Sequence, residues 1–207
     1  RQLIQSGHSN LSASIELGLP STSKLHNLMI KFEALSPGEI KTCGKGLKLT
    51  VGQVNSPFGP MYLCTTPKGI NSLEFETNTL TYEVWRREIQ ALYPSAQIDE
   101  SHQEIKSLAQ RIFSAQSTGH AIDLNLVGTP FQLKVWQVLT TIPFGQTISY
   151  KTLAIQLGDE KCIRAAGTAN GKNRLAIVVP CHRVVGSGGS LVGYAGGIWR
   201  KPDACGY

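Results

Sequence analysis

Apolar and polar positions along this chain of 207 residues follow two periods, one of about two residues and one of about 3.6. Between residues 58 and 126 both periods occur in turn. Alternation predicts strands over residues 61–66 and 70–76, which a Pro-Lys-Gly turn joins, and over 121–126. Helical spacing predicts helices over residues 81–93 and 104–115. These elements predict a small α/β scaffold over residues 58–126.

Residues 127–207 carry stronger helix signals. Thr129 and Gln132 have the spacing of a capping box, and an apolar stripe of helical period follows them. Ser149 is placed to cap a second helix over residues 150–157, and residues 160–170 predict a third. Two short helices joined by a brief turn are typical of a helix-turn-helix. The predicted stripe of the first helix is Phe131, Val135, Val138, Leu139 and Ile142.

The first forty residues predict two further short helices. Ser21 could cap the second of them, which would place four apolar side chains on one face. Helix, glycine-containing turn and helix again fit a helix-turn-helix. Residues 41–57 are rich in Gly, Lys, Thr and Ser, which predicts a linker. The four apolar residues are Leu25, Leu28, Met29 and Phe32.

One cysteine lies where an apolar run meets a polar sequence. Residues 175–185 predict a buried strand that ends at Cys181, where Pro180 fixes φ and turns the chain outward. A thiol on a rigid element beside His182 and Arg183 is typical of an activated nucleophile. A buried structural thiol explains the same pattern, and the residues alone leave both open. Neighbours in an extended chain point to opposite faces, which favours a water bridge between Cys181 and His182 over a direct bond.

The composition of the chain indicates which kinds of partner and compartment to expect. A formal net charge of +6 favours a polyanion such as DNA. The five cysteines show no ligand spacing, which predicts a reducing compartment and no zinc site. No apolar run is long enough to span a membrane and no secretory signal opens the chain, so we expect a cytoplasmic protein without a membrane partner.

The predicted helix over residues 160–170 combines one long cation with many small side chains. Small residues read base edges poorly and suit the minor groove, where shape and backbone contacts dominate. Arg164 could fill the space that an extruded nucleotide leaves, but the residues alone favour a solvated surface arginine. The small residues predicted to face DNA are Ala165, Ala166, Thr168 and Ala169.

The sequence around Cys181 resembles the active-site motif of the O6-alkylguanine-DNA alkyltransferases, the methylated-DNA–protein-cysteine methyltransferases. Pro180-Cys181-His182-Arg183-Val184 carries the likeness, which extends over residues 58–201. Further matches at the family's spacings are Phe131-Gln132 through Trp136, residues 142–147, Ser149-Tyr150, Arg164-Ala165, Asn173 and Gly193-Tyr194.

The resemblance implies a fold and a reaction. The fold would be a small ribonuclease H-like α/β subdomain followed by a mainly α, winged-helix-like alkyltransferase domain over residues 127–207. The reaction would move an alkyl group irreversibly from O6 of guanine, or O4 of thymine, to Cys181 in a single turnover without a cofactor or a metal. The partner would be double-stranded DNA containing O6-alkylguanine, bound by a monomer.

The resemblance also implies roles for single residues. His182 would relay a proton through water, Arg164 would replace the flipped base, and Tyr150 would push the phosphate backbone. Asn173 would hold the turn between helix and active-site strand. The guanine pocket would be formed by Pro180, Val184, Val185 and Tyr194.

Both ends of the chain raise alternatives. Residues 1–40 resemble the second helix-turn-helix of an AraC-type domain, as in Ada-type adaptive-response proteins, which makes a transcription regulator one alternative. Residues 202–207 lack the family's glutamate, the partner of the active-site histidine. We therefore expect transfer to be slowed or lost while base binding persists, and an alkyltransferase-like lesion-binding protein is the other alternative.

Overall fold

The computed structural model describes residues 30–34, 44–118 and 122–190. Strands and helices alternate in the first part of this range, and helices with short turns dominate the second. The strands are β1 Ile30–Ala34, β2 Lys48–Ser56, β3 Gly59–Thr66, β4 Gly69–Phe75, β5 Gln97–Glu100, β6 Ile122–Leu126, β7 Ile148–Ser149 and β8 Val184–Val185. The helices are α1 Tyr82–Leu92, α2 His102–Thr118, α3 Pro130–Leu139, α4 Tyr150–Gln156 and α5 Ile163–Gly171.

Six strands form one mixed sheet in the order β1-β6-β4-β3-β2-β5. β2, β3 and β4 are an antiparallel meander, and β5, β6 and β1 add parallel strands at its two edges. The strands and helices predicted between residues 58 and 126 are confirmed. The linker predicted over residues 41–57 is wrong for residues 48–56, which form β2 in the interior of the sheet. Leu49 and Val51 are fully buried there, and the polar and glycine residues around them hid this short alternation.

The predicted N-terminal helix is wrong at its end. Residues 30–34 form β1, which pairs in parallel with β6 from Ile30 opposite Ile122 to Ala34 opposite Leu126. The sequence Ile-Lys-Phe-Glu-Ala alternates apolar and polar positions, so the period of two prevails over the helical spacing of Phe32 with Leu25. The rest of the predicted helix-turn-helix, residues 1–29 and 35–40, lies outside the described residues.

Apolar side chains pack on both faces of the sheet. On one face α1 buries Trp85 and Ile89 against β2 and β3. On the other face a single cluster joins β3, β4 and β6 to α2, α3, α4 and α5. Full burial of a large apolar side chain stabilises the fold by about 1.5–3 kcal/mol. The larger core therefore continues across residue 126, where the scaffold was predicted to end.

The helix signals of the second part are confirmed. Thr129 and Gln132 form the capping box, and the Ser149 side chain accepts a hydrogen bond from the amide of Thr152 at the start of α4. The predicted third helix has two parts, a 3-10 turn at Glu160–Cys162 followed by α5. The apolar stripe of α3 is buried except for Phe131, which is 37% exposed, so its placement in the core is wrong.

The buried strand predicted to lead into Cys181 is largely wrong. Leu175 makes one isolated bridge to Leu73, and Ile177 then adopts a φ of 67°, which a strand excludes and which strains a β-branched residue. Only Val184–Val185 forms a strand, paired in parallel with Ile148–Ser149. An apolar run predicts burial, which the segment has, but buried turns and buried strands share that composition.

Within the described ranges, no helix has the length and apolar character needed to cross a bilayer.

Candidate active site

Cys181 begins a 3-10 turn, Cys181–Arg183, that follows the buried turns of residues 175–180. The Cys181 amide donates to the carbonyl of Val179 at 2.8 Å, and the Arg183 amide donates to the carbonyl of Pro180 at 3.0 Å. Pro180 has a φ of −79°, close to the value that its ring imposes. Cys181 is 6% exposed, so its thiol is held in a rigid and nearly dry setting.

Asn173 holds this turn with both ends of its amide. Its nitrogen donates to the carbonyls of Val179 at 2.9 Å and Leu175 at 3.3 Å, and to the Cys181 sulfur at 3.1 Å. Its oxygen accepts from the Leu175 amide at 2.9 Å. A donor aimed at sulfur favours the thiolate, the nucleophilic form. The expected contact of Asn173 with the turn is therefore present, and it reaches the sulfur itself.

Asn170 is a buried residue of this site that the sequence reasoning missed. Its side-chain nitrogen lies 3.3 Å from the Cys181 carbonyl oxygen and 3.5 Å from the Tyr150 hydroxyl. Burial raises the pKa of the Tyr150 phenol, and the proximity of Cys181 raises it further. Tyr150 is thus neutral at physiological pH. A polar residue three positions before Asn173, on a helix otherwise rich in small residues, was the signal available in the sequence.

The remaining motif residues surround the same turn. His182 is fully buried, and Val184 and Val185 are buried in β8 beside the residues that start α4. Arg183 donates to the Ile142 carbonyl at 2.7 Å. Tyr194 lies outside the described residues. Pro180, His182, Val184 and Val185 therefore lie in the 3-10 turn that contains Cys181 or directly beside it in the chain.

The small residues of α5 divide between two faces. Arg164, Ala165 and Thr168 are exposed. Ala166 and Ala169 are 0% and 3% exposed, and their prediction as DNA contacts is wrong. Helical spacing turns both toward α3, where small side chains allow close approach.

A tryptophan packs between α3 and α5 and stabilises their close approach. The Trp136 indole nitrogen donates to the Ala169 carbonyl at 2.9 Å, and the Trp136 ring is 3% exposed. Trp136 is not part of the predicted α3 stripe, and in the structure its ring fills the space between α3 and α5. α5 is therefore fixed, with its outer face presented to solvent.

Among residues 30–34, 44–118 and 122–190, no group of three His, Cys, Asp or Glu side chains could hold a metal ion. The chemistry that this arrangement supports is attack by a single positioned thiol.

Comparison with known protein families indicates the class of protein to which the region around Cys181 is similar. Residues 130–205 match the family model described as 6-O-methylguanine DNA methyltransferase, DNA binding domain. This range contains α3, α4, α5 and the Cys181 turn, so these elements are similar to the DNA-binding domain of that class of protein.

Similar whole chains give the family. A methylated-DNA–protein-cysteine methyltransferase of Mycobacterium leprae is 40% identical over 148 residues, which cover 72% of this chain and 85% of that protein. One from Salmonella typhimurium is 34% identical and covers 75% of this chain and 92% of its own length. The Mycobacterium tuberculosis OGT crystallised with DNA is 34% identical, with a TM-score of 0.59, and the match covers 77% and 91% of the two chains. This chain belongs to the methylated-DNA–protein-cysteine methyltransferase family.

Proposed function

We propose that this protein repairs DNA by moving a methyl group from O6 of guanine to the sulfur of Cys181. Family membership supports the reaction, and the site supports the residue. The observation that carries the assignment is the hydrogen bond from the Asn173 amide to the Cys181 sulfur, at 3.1 Å. Neither Cys64 nor Cys162, the other cysteines that the structure describes, has a side-chain donor of this kind among its contacts.

The reaction balances with the protein and the damaged base alone. The Cys181 thiol gives its proton to His182 through a water, and the sulfur attacks the methyl carbon in line. The new S–C bond forms as the C–O6 bond breaks, and the electron pair stays on the purine. The same proton then returns to the purine and restores guanine. The thioether is stable, so each molecule reacts once.

DNA would bind across the exposed face of α5. Arg164 and Thr168 with Ala165 present one long cation among small side chains, which suits a minor groove. Arg164 would occupy the space of the extruded nucleotide, and Tyr150 would press on the neighbouring phosphate. Extrusion costs a few kcal/mol and least for a base that already pairs badly, which favours the methylated guanine.

The extruded base would enter a pocket beside the turn. We assign its walls to Pro180, Val184, Val185 and Tyr194, with O4-alkylthymine as a second substrate. The finer fold assignments belong to the same proposal. The meander with parallel outer strands fits a ribonuclease H-like subdomain, α3 to α5 with β7 and β8 fit a winged helix, and a DNA-repair role fits the cytoplasm.

Incubation with duplex DNA containing one O6-methylguanine tests the proposal. The intact protein is then weighed, with the Cys181→Ser variant in parallel. Because the thiol and its amide donor are both in place, we expect wild type to gain the mass of one methylene group on long incubation, even if the missing glutamate slows the transfer, and the variant to gain none. Tight lesion binding without a mass gain would replace repair by lesion sensing. A gain in the variant would move the acceptor to another residue.

A further inference from the structure

Arg174 follows Asn173 directly, and its side chain reaches from the active-site turn to the other subdomain. Its Nε donates to Glu74 Oε1 at 2.8 Å, and its Nη2 lies 2.7 Å from the same oxygen. Nη2 also lies 3.3 Å from Glu88 Oε2 on α1. One guanidinium thus joins residue 174 to β4 and to α1.

Two hydrogen bonds that do not involve Arg174 also hold the Glu74 carboxylate. The same Oε1 accepts from the Ser72 hydroxyl at 2.8 Å and from the Trp85 indole nitrogen at 3.1 Å. Trp85 is fully buried in the core under α1. Because the Arg174 and Glu74 side chains are only 28% and 20% exposed, water screens this pair less than a surface ion pair. The Glu88 side chain is 50% exposed and contributes less.

Backbone hydrogen bonds place the turn on the same strand. The Leu73 amide donates to the Arg174 carbonyl at 2.7 Å, and the Ala176 amide donates to the Leu73 carbonyl at 2.9 Å. Asn173, which holds the Cys181 sulfur, immediately precedes this docked segment. The sheet and the sulfur are therefore connected through two adjacent residues, Arg174 and Asn173.

We infer that Arg174 is a positioning residue for alkyl transfer, because its ion pairs with Glu74 and Glu88 hold the Asn173 amide on the Cys181 sulfur. The inference rests on the proposed role of Cys181. A lysine cannot reproduce it fully, since the Nε and Nη2 contacts need the planar fork of a guanidinium. In this account the sheet subdomain sets the reactivity of the thiol as well as supporting the fold.

The test compares Arg174→Met, Arg174→Lys and Arg87→Met with wild type. Arg87 is an exposed arginine of α1 whose Nε donates to the Glu83 carbonyl, so Arg87→Met is the matched control. We expect Arg174→Met to slow methyl transfer per folded molecule about tenfold, equally for duplex DNA and for the free O6-methylguanine base. Arg174→Lys should recover part of the rate, and DNA affinity should stay within about twofold of wild type because the exposed side chains of α5 are unchanged.

A pH profile separates positioning from a general loss of structure. If Asn173 drifts from the sulfur, the rate of Cys181 should reach half its maximum at a higher pH, because a donor to the thiolate is lost. Among the described residues, Tyr150 interacts electrostatically with Cys181, and His182 and Arg183 follow it in the same turn; none of the three is changed. An unshifted profile with an unchanged rate per folded molecule would leave Arg174 a purely structural residue.

A double variant removes the remaining ambiguity. Arg174→Met leaves the Glu74 carboxylate without its cation, which alone could disturb the site. Arg174→Met combined with Glu74→Gln removes both charges, and we expect it to stay slow because the tether is still missing. Recovery of the full rate would overturn the inference.

Alkylation of Cys181 by iodoacetamide repeats the comparison without DNA. If wild type accepts no methyl group, the proposed function fails, while an unequal iodoacetamide rate between wild type and Arg174→Met still supports positioning. If wild type transfers normally and Arg174→Met matches it in both reactions, only the positioning role fails.

Discussion

Two buried cysteines, Cys64 and Cys181, show what distinguishes a reactive thiol from a structural one in this molecule. Cys64 is fully buried in the middle of β3, and burial raises its pKa to about 12, against a weaker opposing effect of Arg174. Cys181 is 6% exposed, but it sits in a turn that side chains hold, with an amide donor on its sulfur. Burial is common to both. The directed donor is the difference.

Exchanging sulfur for oxygen at each position gives the largest expected contrast. Cys181→Ser should lose methyl transfer completely, because a serine hydroxyl without a strong base is a far poorer nucleophile than a thiolate. Cys64→Ser should keep the wild-type rate and lose about 1–3 kcal/mol of stability, since it buries a hydroxyl. Single-turnover assays and urea unfolding of both variants decide this. Loss of transfer in Cys64→Ser would erase the distinction.

Removing the donor should make Cys181 behave more like Cys64. Asn173→Ala loses the bond to sulfur and three bonds that shape the turn, so we expect transfer to fall on the order of 100-fold and stability by about 2–3 kcal/mol. The rate is measured per folded molecule with the free O6-methylguanine base. Asn173→Asp keeps the acceptor but not the donor and serves as the control. A wild-type rate in both variants would show that the contact to sulfur does not matter.

Arg164→Ala tests whether α5 serves base flipping while the Cys181 turn serves methyl transfer. Repair of duplex DNA should fall about tenfold because the gap left by the flipped base is unfilled. Reaction with the free base should stay near normal, since no flipping is needed. Both rates come from the same single-turnover assay. Equal losses on the two substrates would refute the flipping role.

The two faces of α5 predict a smaller contrast in stability. Ala166→Leu overpacks the joint with α3 and should cost about 1–3 kcal/mol, whereas Ala165→Leu on the exposed face should change stability by less than about 0.5 kcal/mol. Ala165→Leu should instead weaken DNA binding. Thermal unfolding and a DNA titration separate the two. Similar stability losses would mean that both faces of α5 are packed.

Per pH unit, the alkaline decline of stability gives the smallest effect. Because the pKa of Cys64 is raised to about 12 in the fold from an ordinary value of 9.0, its contribution to stability is complete below about pH 9 and is lost as pH rises toward 12. Removing the thiol in Cys64→Ala should therefore flatten the alkaline decline by roughly 1 kcal/mol per pH unit above pH 9. Urea unfolding at several pH values checks this. Parallel declines in wild type and variant would contradict it.

Sequence reasoning found most of the regular elements and the nucleophile, for identifiable reasons. Long periodic segments such as α1 and the meander strands β3 and β4 can be recognised from the sequence, and so can the Thr129 capping box. β5 was missed because it is four residues long and largely exposed, which leaves little alternation to read. β2 and β1 were misread because their short alternation lies within polar or helix-like sequence.

The site was predictable where it follows a local motif and unpredictable where it depends on distant residues. The motif around Cys181 marks the thiol and its neighbours. The Asn170 contacts require α5 to end beside the turn, and the Arg174 to Glu74 ion pair joins residues 100 positions apart. Helical spacing puts Ala166 and Ala169 on a different face of α5 from Arg164. Which of the two faces is exposed depends on the packing against α3, which the sequence does not show.

Peptide mapping after reaction with duplex DNA that carries an isotope-labelled methyl group on O6 of one guanine shows which sulfur accepts the methyl group. We expect the label on the peptide containing Cys181 and none on the peptides containing Cys64 or Cys162. Label on either of those peptides, or a Cys181 peptide that stays unmodified while the DNA loses its methyl group, would contradict this expectation.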